Sequence, residues 1–254
     1  MTRNNHSQGR HAGIHGSGQR VGSWLDWKLS PAREFGMAEW MDEPDADPAL
    51  LDDSLRFLTS LNRRLGWTRA MIDAVDCLAR EVRRPVTILD VGTGAGDLPA
   101  AIAKDRRLAG SRIVGIDLHA RTVAYARQQA SGRYEVLQGD ALSLPFADGG
   151  VDICTCGLFL HHLPSDLVVK ALAEMRRVSR VGLVAGDLLR SRRGLLGIRL
   201  LGLVSNAMVR HDGEVSVRQA FTVQEIRALL EAGGWRDVSI RTMSGIRLLA
   251  SARV

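Results

Sequence analysis

The chain of 254 residues carries only three cysteines, Cys77, Cys154 and Cys156, unevenly placed. That scarcity excludes a disulfide framework and fits a reducing compartment. No apolar run reaches the roughly 18 residues that cross a bilayer, and no basic stretch followed by an apolar one opens the sequence. The expectation is a cytoplasmic protein without stable membrane insertion. Charged residues are 24% of the chain against 45% apolar ones, a balance that permits a sizeable core. The net charge of +6 and pI near 9.9 admit an anionic partner. Much of the excess arginine is local, however, so it is read as a solvated surface and no nucleic-acid partner is expected.

Residues 1–22 are polar, rich in Gly, His and Arg, and without apolar period; they read as a flexible tail. His6, His11 and His15 lie there at spacings too loose for a metal tract. Residues 23–84 read as a helical lid. Trp24, Trp27, Phe35, Met37 and Trp40 supply apolar bulk, and Leu51, Leu55, Leu58 and Leu61 recur at helical spacing behind an Asp47–Pro48 start. A second helix is expected from Thr68 to Val82.

Residues 85–254 change rhythm. Short β runs at 86–92, 111–117, 133–139, 151–157 and 181–187 alternate with helix-compatible segments at 99–108, 120–130 and 165–178. Such alternation predicts an α/β fold, Rossmann-like, with a mostly parallel sheet and helices on both faces. Helix 221–233 opens with Thr222 and Glu225 as a capping box. It leads into two closely spaced runs, 235–242 and 246–254, that predict a hairpin and hence an antiparallel last strand. A cap insertion at 188–220 interrupts the pattern. Its Leu196, Leu200, Leu203 and Ala207 form an apolar stripe beside Arg192, Arg193 and Arg199, expected to pack on the lid and cover the substrate, the alternative being an interfacial helix that contacts a membrane surface for a lipidic substrate.

The stretch Ile88–Pro99, ILDVGTGAGDLP, runs a strand into Gly92, Gly94 and Gly96 and then a helix, the arrangement that brings a ligand onto bare backbone and helix-terminal N–H groups. The third glycine of the dinucleotide fingerprint is missing; Asp97 stands there, and an acid at a helix N-terminus repels a pyrophosphate. Asp117 ends the second strand where a carboxylate can accept both ribose hydroxyls. Asp140 follows the third strand, and Asp90 lies inside the first, an odd place for a charge unless it faces the cleft.

With DVGTGAGDLP at 90–99, VGIDLHARTVAYAR at 114–127, GDALSLPFADGGVDICTCGLFLHHL at 139–163 and the terminal hairpin, the chain resembles the class I S-adenosylmethionine (SAM)-dependent methyltransferases. That resemblance implies a seven-stranded sheet in the order 3-2-1-4-5-7-6, SAM as cofactor and S-adenosylhomocysteine (SAH) as product. It also implies that Gly92, Gly94 and Gly96 wrap the methionyl part, that Asp117 holds the ribose, that Asp140 and Ala141 hold the adenine and that Gly157 and Leu158 lie near the sulfonium, with Asp90, Thr93 and Leu118 as further cofactor contacts.

Removing a proton from an acceptor hydroxyl asks for a base of near-neutral pKa. His162 is the first candidate and His161 the second, both just after the fourth strand; His211, in what reads as a polar loop, is the third, ahead of Glu214. Cys154 and Cys156 with the histidine pair superficially suggest zinc, but cysteines in a central strand are ordinary core residues, and no metal is assigned. The expected activity is O-methylation of a small, aromatic or polyketide-like hydrophobic acceptor in secondary metabolism. The alternatives are C-methylation of a quinone-type ring and, further off, RNA or protein methylation. The apolar N-terminal helices offer a surface for a homodimer.

Overall fold

In the computed structural model, residues 30–43 and 45–254 are described; the tail at 1–22, Trp24 and Trp27 lie outside them. Seven strands form one sheet: β1 (Thr87–Val91), β2 (Arg112–Asp117), β3 (Glu135–Gln138), β4 (Val151–Gly157), β5 (Ser179–Leu188), β6 (Arg236–Met243) and β7 (Arg247–Arg253). Their order is β3-β2-β1-β4-β5-β7-β6, as the resemblance implied. β1 to β5 run parallel, and β7 is antiparallel to both β5 and β6. The reversal between β1 and β4 opens a crevice at the carboxyl ends of the strands, where α/β sheets bind ligands.

Each central strand is buried on both sides, so β1 and β4 read as nearly continuous apolar runs. One face packs Leu89, Val91, Cys154 and Cys156 against α5 (Ser165–Val178) and α8 (Val223–Ala232). The other packs Ile88, Ile113 and Ile153 against α2 (Trp67–Ala79), α3 (Asp97–Ile102) and α4 (Ala120–Ala130). The cysteines are thus core residues. Burial pushes the Cys154 thiol up to about 12 and the Cys156 thiol well above its ordinary value, which keeps both un-ionised and poor as ligands or nucleophiles.

The segment before the sheet departs from expectation. Apart from one short turn at Trp40–Asp42, the described residues between 30 and 47 carry no helix; the lid helix α1 begins at Pro48, with Asp47 capping Ala49 and Leu50, and ends at Arg64. Residues 30–43 form a strap. The Arg33 guanidinium donates to the Gln219 and Leu163 carbonyls and lies over the Phe221 ring, and the buried Arg190 donates to the carbonyls of Pro31 and Ala220. The cap insertion forms two helices, α6 (Arg192–Gly202) and α7 (Ala207–Gln219). They cross closely: a Cβ on Gly213 would lie 2.4 Å from Ile198. The Asn206 amide donates to Ser54 of α1 at 3.0 Å, tying cap to lid. Leu196, Leu200, Leu203 and Ala207 nevertheless all stay exposed, so the expected packing of the apolar stripe on the lid is not realised. Among the described residues no helix is long and apolar enough to cross a membrane.

At Gly186 of β5 an added Cβ would lie 2.4 Å from the Trp67 ring and 2.6 Å from the Met71 sulfur. Gly186→Val is expected to destabilise the fold by about 1–3 kcal/mol through overpacking, measured as a lower urea midpoint at unchanged slope.

Candidate active site

The glycine turn is held by backbone geometry first. Gly92 and Thr93 both donate to the Ile116 carbonyl, at 2.9 and 3.0 Å, so the turn folds back onto β2. Gly92, Gly94 and Gly96 all have positive φ, which glycine adopts without steric cost. The three have different tasks. A Cβ on Gly92 would strike Phe159, and one on Gly96 would lie 2.4 Å from the Tyr134 hydroxyl, whereas one on Gly94 would meet nothing within 4 Å. Gly94 therefore faces open space, while Gly96 is a packing glycine that does not line the cavity. This corrects its expected cofactor contact.

Asp90 also departs from expectation. Its carboxylate does not reach the cleft; it is buried beneath the turn, accepting from the Thr93 and Thr155 hydroxyls at 2.7 Å each. Burial, with Asp97 and Asp117 nearby, pushes its pKa up to about 7 against the opposing effect of the two hydroxyls.

Above the turn and the tips of β1, β2, β4 and β5 lies a cavity of about 1180 Å³, roofed by α1, α6 and α7. Thr93, Gly94, Asp117, Leu118, Asp140, Ala141, Gly157 and Leu158 line it, as does Gly92. One Asp117 carboxylate oxygen accepts from Gly94 N–H at 2.9 Å and the other from His119 N–H at 3.1 Å. Asp140 is exposed and accepts from Leu142 N–H at 2.8 Å, shaping the turn that presents Ala141. Leu158 holds φ at +56°, an uncommon conformation for a side chain-bearing residue, and its N–H donates to the Gly186 carbonyl.

The histidines separate. His161 and His162 both line the cavity. The buried His161 ring puts Nδ1 2.6 Å from an Asp187 oxygen, and its backbone N–H donates to the other. An acceptor-only carboxylate there makes Nδ1 the donor to Asp187. Nε2 is 3.8 Å from the buried Glu39 carboxylate, which accepts from Ser216 at 2.7 Å. Burial raises the pKa of Glu39, against the two histidines and the Ser216 hydroxyl. The His162 Nδ1 is 3.1 Å from Asp42 and 3.9 Å from Glu39. Burial would lower its pKa, but the Asp42 hydrogen bond and the surrounding carboxylates prevail and push it up to about 9. His162 is therefore an imidazolium at neutral pH, bound to a strap carboxylate.

His211 is a correction in both place and partner. It lies on helix α7, outside the cavity lining, with its ring stacked on Trp40 at 4.3 Å and Nδ1 2.8 Å from Asp212. Glu214 pairs with Arg199 and Arg218 on the same cap. Three site groups escape sequence reading. Asp187 ends β5 as Asp117 ends β2, so the rule that picked the earlier acids applied to it as well. Glu39 and Asp42 had no such signal, because their stretch shows no period and reaches the site only through tertiary contacts. Donor atoms of Glu39, His161 and His162 lie within 4.8 Å of one another, but each imidazole Nδ1 already has its own aspartate.

With this geometry in view, the chain can be compared with known proteins. A family model described as a methyltransferase domain matches residues 88–182. The demethylmenaquinone methyltransferase of Thermus thermophilus is 37% identical over 133 residues, covering 51% of this chain and 56% of that protein. The chain thus spans little more than half of that relative's length. The protein of the same name from Beutenbergia cavernae is 31% identical over 193 residues, 70% of this chain and 75% of its own. In fold, the solved plantazolicin methyltransferase superposes with a TM-score of 0.61 at 15% identity, over 84% of this chain and 92% of that one.

Because Asp90 keeps its proton more tightly in the folded chain than in the unfolded one, its contribution to stability is full below about pH 4 and is lost as pH rises through about 7. Asp90→Asn removes that titration. Its melting temperature relative to the unsubstituted protein is expected to rise between about pH 4 and about 7 and to level off above that, read by calorimetry from acid to mildly alkaline pH.

Proposed function

The chain belongs to the class I SAM-dependent methyltransferases, and from that membership we propose that it transfers the methyl group of SAM to a hydroxyl oxygen of a small, hydrophobic, ring-bearing acceptor. When bound, SAM supplies an electrophilic methyl group on a sulfonium and leaves as SAH. The residues present fit such a molecule: open space above Gly94, a strand-end carboxylate at Asp117, and Asp140–Ala141 at the far wall of one continuous cavity. In this reading Asp117 receives the ribose hydroxyls and Ala141 flanks the adenine.

The observation that carries the acceptor chemistry is the Asp187–His161 pair. Asp187 engages Nδ1 of this cavity-lining imidazole and leaves Nε2, 3.8 Å from Glu39, as the nitrogen available to a proton, and a base so held takes the acceptor's hydroxyl proton as the oxygen attacks the methyl carbon. His162, already protonated, holds the strap closed through Asp42 and places positive charge beside the developing oxyanion. The apolar residues Leu51, Leu55, Leu58, Ile198 and Leu201 exclude water from the acceptor end. The base assignment passes from His162, first in sequence reading, to His161.

A second reading, methylation of a quinol ring carbon, is favoured by the names of the relatives from Thermus and Beutenbergia. The same base would serve it, since a ring hydroxyl that loses its proton raises electron density on the adjacent carbon. The two are separated by incubating the protein with SAM and a hydroxylated aromatic or hydroquinone acceptor and locating the new methyl group by NMR, on oxygen in the first case and on carbon in the second. RNA methylation is tested by salt-dependent binding to tRNA, and none is expected.

Asp117→Ala is expected to weaken SAH binding about ten- to a hundredfold, the value of hydrogen bonds to a charged group, measured by calorimetry. His161→Gln is expected to lower turnover about 10²- to 10⁴-fold with SAH affinity nearly unchanged. Turnover close to the unsubstituted value would remove His161 as the base.

A further inference from the structure

Arg247 opens β7, paired across the sheet with Leu188 at the tip of β5. Only 6% of it is exposed, yet it lines the cavity, and its Nη1 has no hydrogen-bond partner among the described residues. Its guanidinium lies over the Trp67 ring, 5.0 Å from the centroid, which offers a face but no acceptor. Burial lowers its pKa to about 10, while Asp187 and Asp97 favour the charged form. A buried, charged donor left unpaired is costly, and proteins normally satisfy such a group with an anion.

A complementary group stands in the same cavity. Asn62, buried on α1, has an Oδ1 that is also without a partner, and Asp97 at the start of α3 lines the wall with it. Burial raises the Asp97 pKa against the Asn62 side chain, backbone N–H groups and Arg247. The site therefore offers a vacant cationic donor on one side, and a vacant acceptor beside a carboxyl group on the other.

We propose that Arg247, Asn62 and Asp97 form a receptor for an α-amino carboxylate, with Arg247 taking the carboxylate and Asn62 Oδ1 and Asp97 taking the ammonium. The ligand group is the methionyl end of the cofactor, so this inference rests on the reading of the cavity given above. Planar guanidinium suits planar carboxylate, and the shared hydrogen bonds are charge-assisted. The Trp67 ring beneath Arg247 holds the fork in place. Asp97, which excludes a diphosphate, thereby has a positive role.

The test compares two ligands that share the adenosine and differ in the tail: SAH, and 5′-methylthioadenosine, which lacks the amino carboxylate. Both are titrated calorimetrically into the full chain and into Arg247→Met, Arg247→Gln and Asn62→Leu. The unsubstituted protein is expected to prefer SAH. Each arginine variant is expected to lose SAH affinity at least about tenfold while binding methylthioadenosine within about twofold of the original, which also reports that it is folded. Asn62→Leu is expected to narrow the preference less.

An unchanged SAH-to-methylthioadenosine ratio in the variants overturns the receptor, whatever they do to acceptor binding. If Arg247→Met binds neither ligand, Arg247→Gln and Asn62→Leu decide by the same ratio. Equal affinity of the unsubstituted protein for the two ligands likewise removes the receptor and leaves the proposed activity standing. Failure of the unsubstituted protein to bind either ligand removes the proposed activity itself.

Discussion

The structure depends on a carboxyl group buried beneath the glycine turn. Asp90, between the Thr93 and Thr155 hydroxyls, joins the glycine turn to β4 beneath the crevice. Because the interior around it is apolar, each of those bonds is stronger than its counterpart in water, and an unmet partner would be correspondingly costly. The turn is thus fixed from below by side chains and from the side by the Ile116 carbonyl. Gly94 is consequently presented in one conformation, with its N–H on Asp117 and its Cα toward the cavity. A site that must align two reactants gains from a loop that has nothing left to rearrange.

The acceptor end is assembled differently. Its polar groups come from four separated places: Glu39 and Asp42 on the strap, the histidine pair after β4, Asp187 at the end of β5 and Ser216 on α7. What brings the strap to them is backbone capture. Asp212 of α7 accepts from the N–H groups of Trp40 and Met41 at 2.8 and 3.0 Å, so the short turn at Trp40–Asp42 is capped by another helix. Arg33 and Arg190 secure its beginning through carbonyl oxygens. These contacts are polar and made to backbone groups, in contrast to the apolar interlock of Gly186 with Trp67 deep in the sheet.

What the sequence made legible follows that division. The strands, the hairpin and the capping box of α8 come from period and turn chemistry, which are local, whereas the strand order came only from the resemblance to the methyltransferases. Asp117 and Asp140 were legible because a strand-end acid has a position as well as a charge. Asp90 was misread because burial can satisfy a carboxyl group with hydroxyls three and sixty-five residues away, and only one of those separations is visible locally. His211 was misread for a related reason: a polar heptapeptide around a glycine has the composition of a loop, yet tertiary packing of α7 against the strap overrides its weak helix propensity. Glu39, Asp42, Asn62 and Arg247 could not be selected at all, because nothing about an acid, an amide or an arginine in isolation says that its neighbours leave it half-satisfied.

The strap has a further meaning for how such an enzyme changes. Residues 39–42 lie outside the alternating strands and helices that hold the turn, and their attachment runs through a few caps and carbonyls. Variation in that short stretch can redraw one wall of the cavity while the floor built by the glycine turn stays untouched. Selection for new acceptors therefore has a place to act that is insulated, energetically, from the machinery for holding the donor.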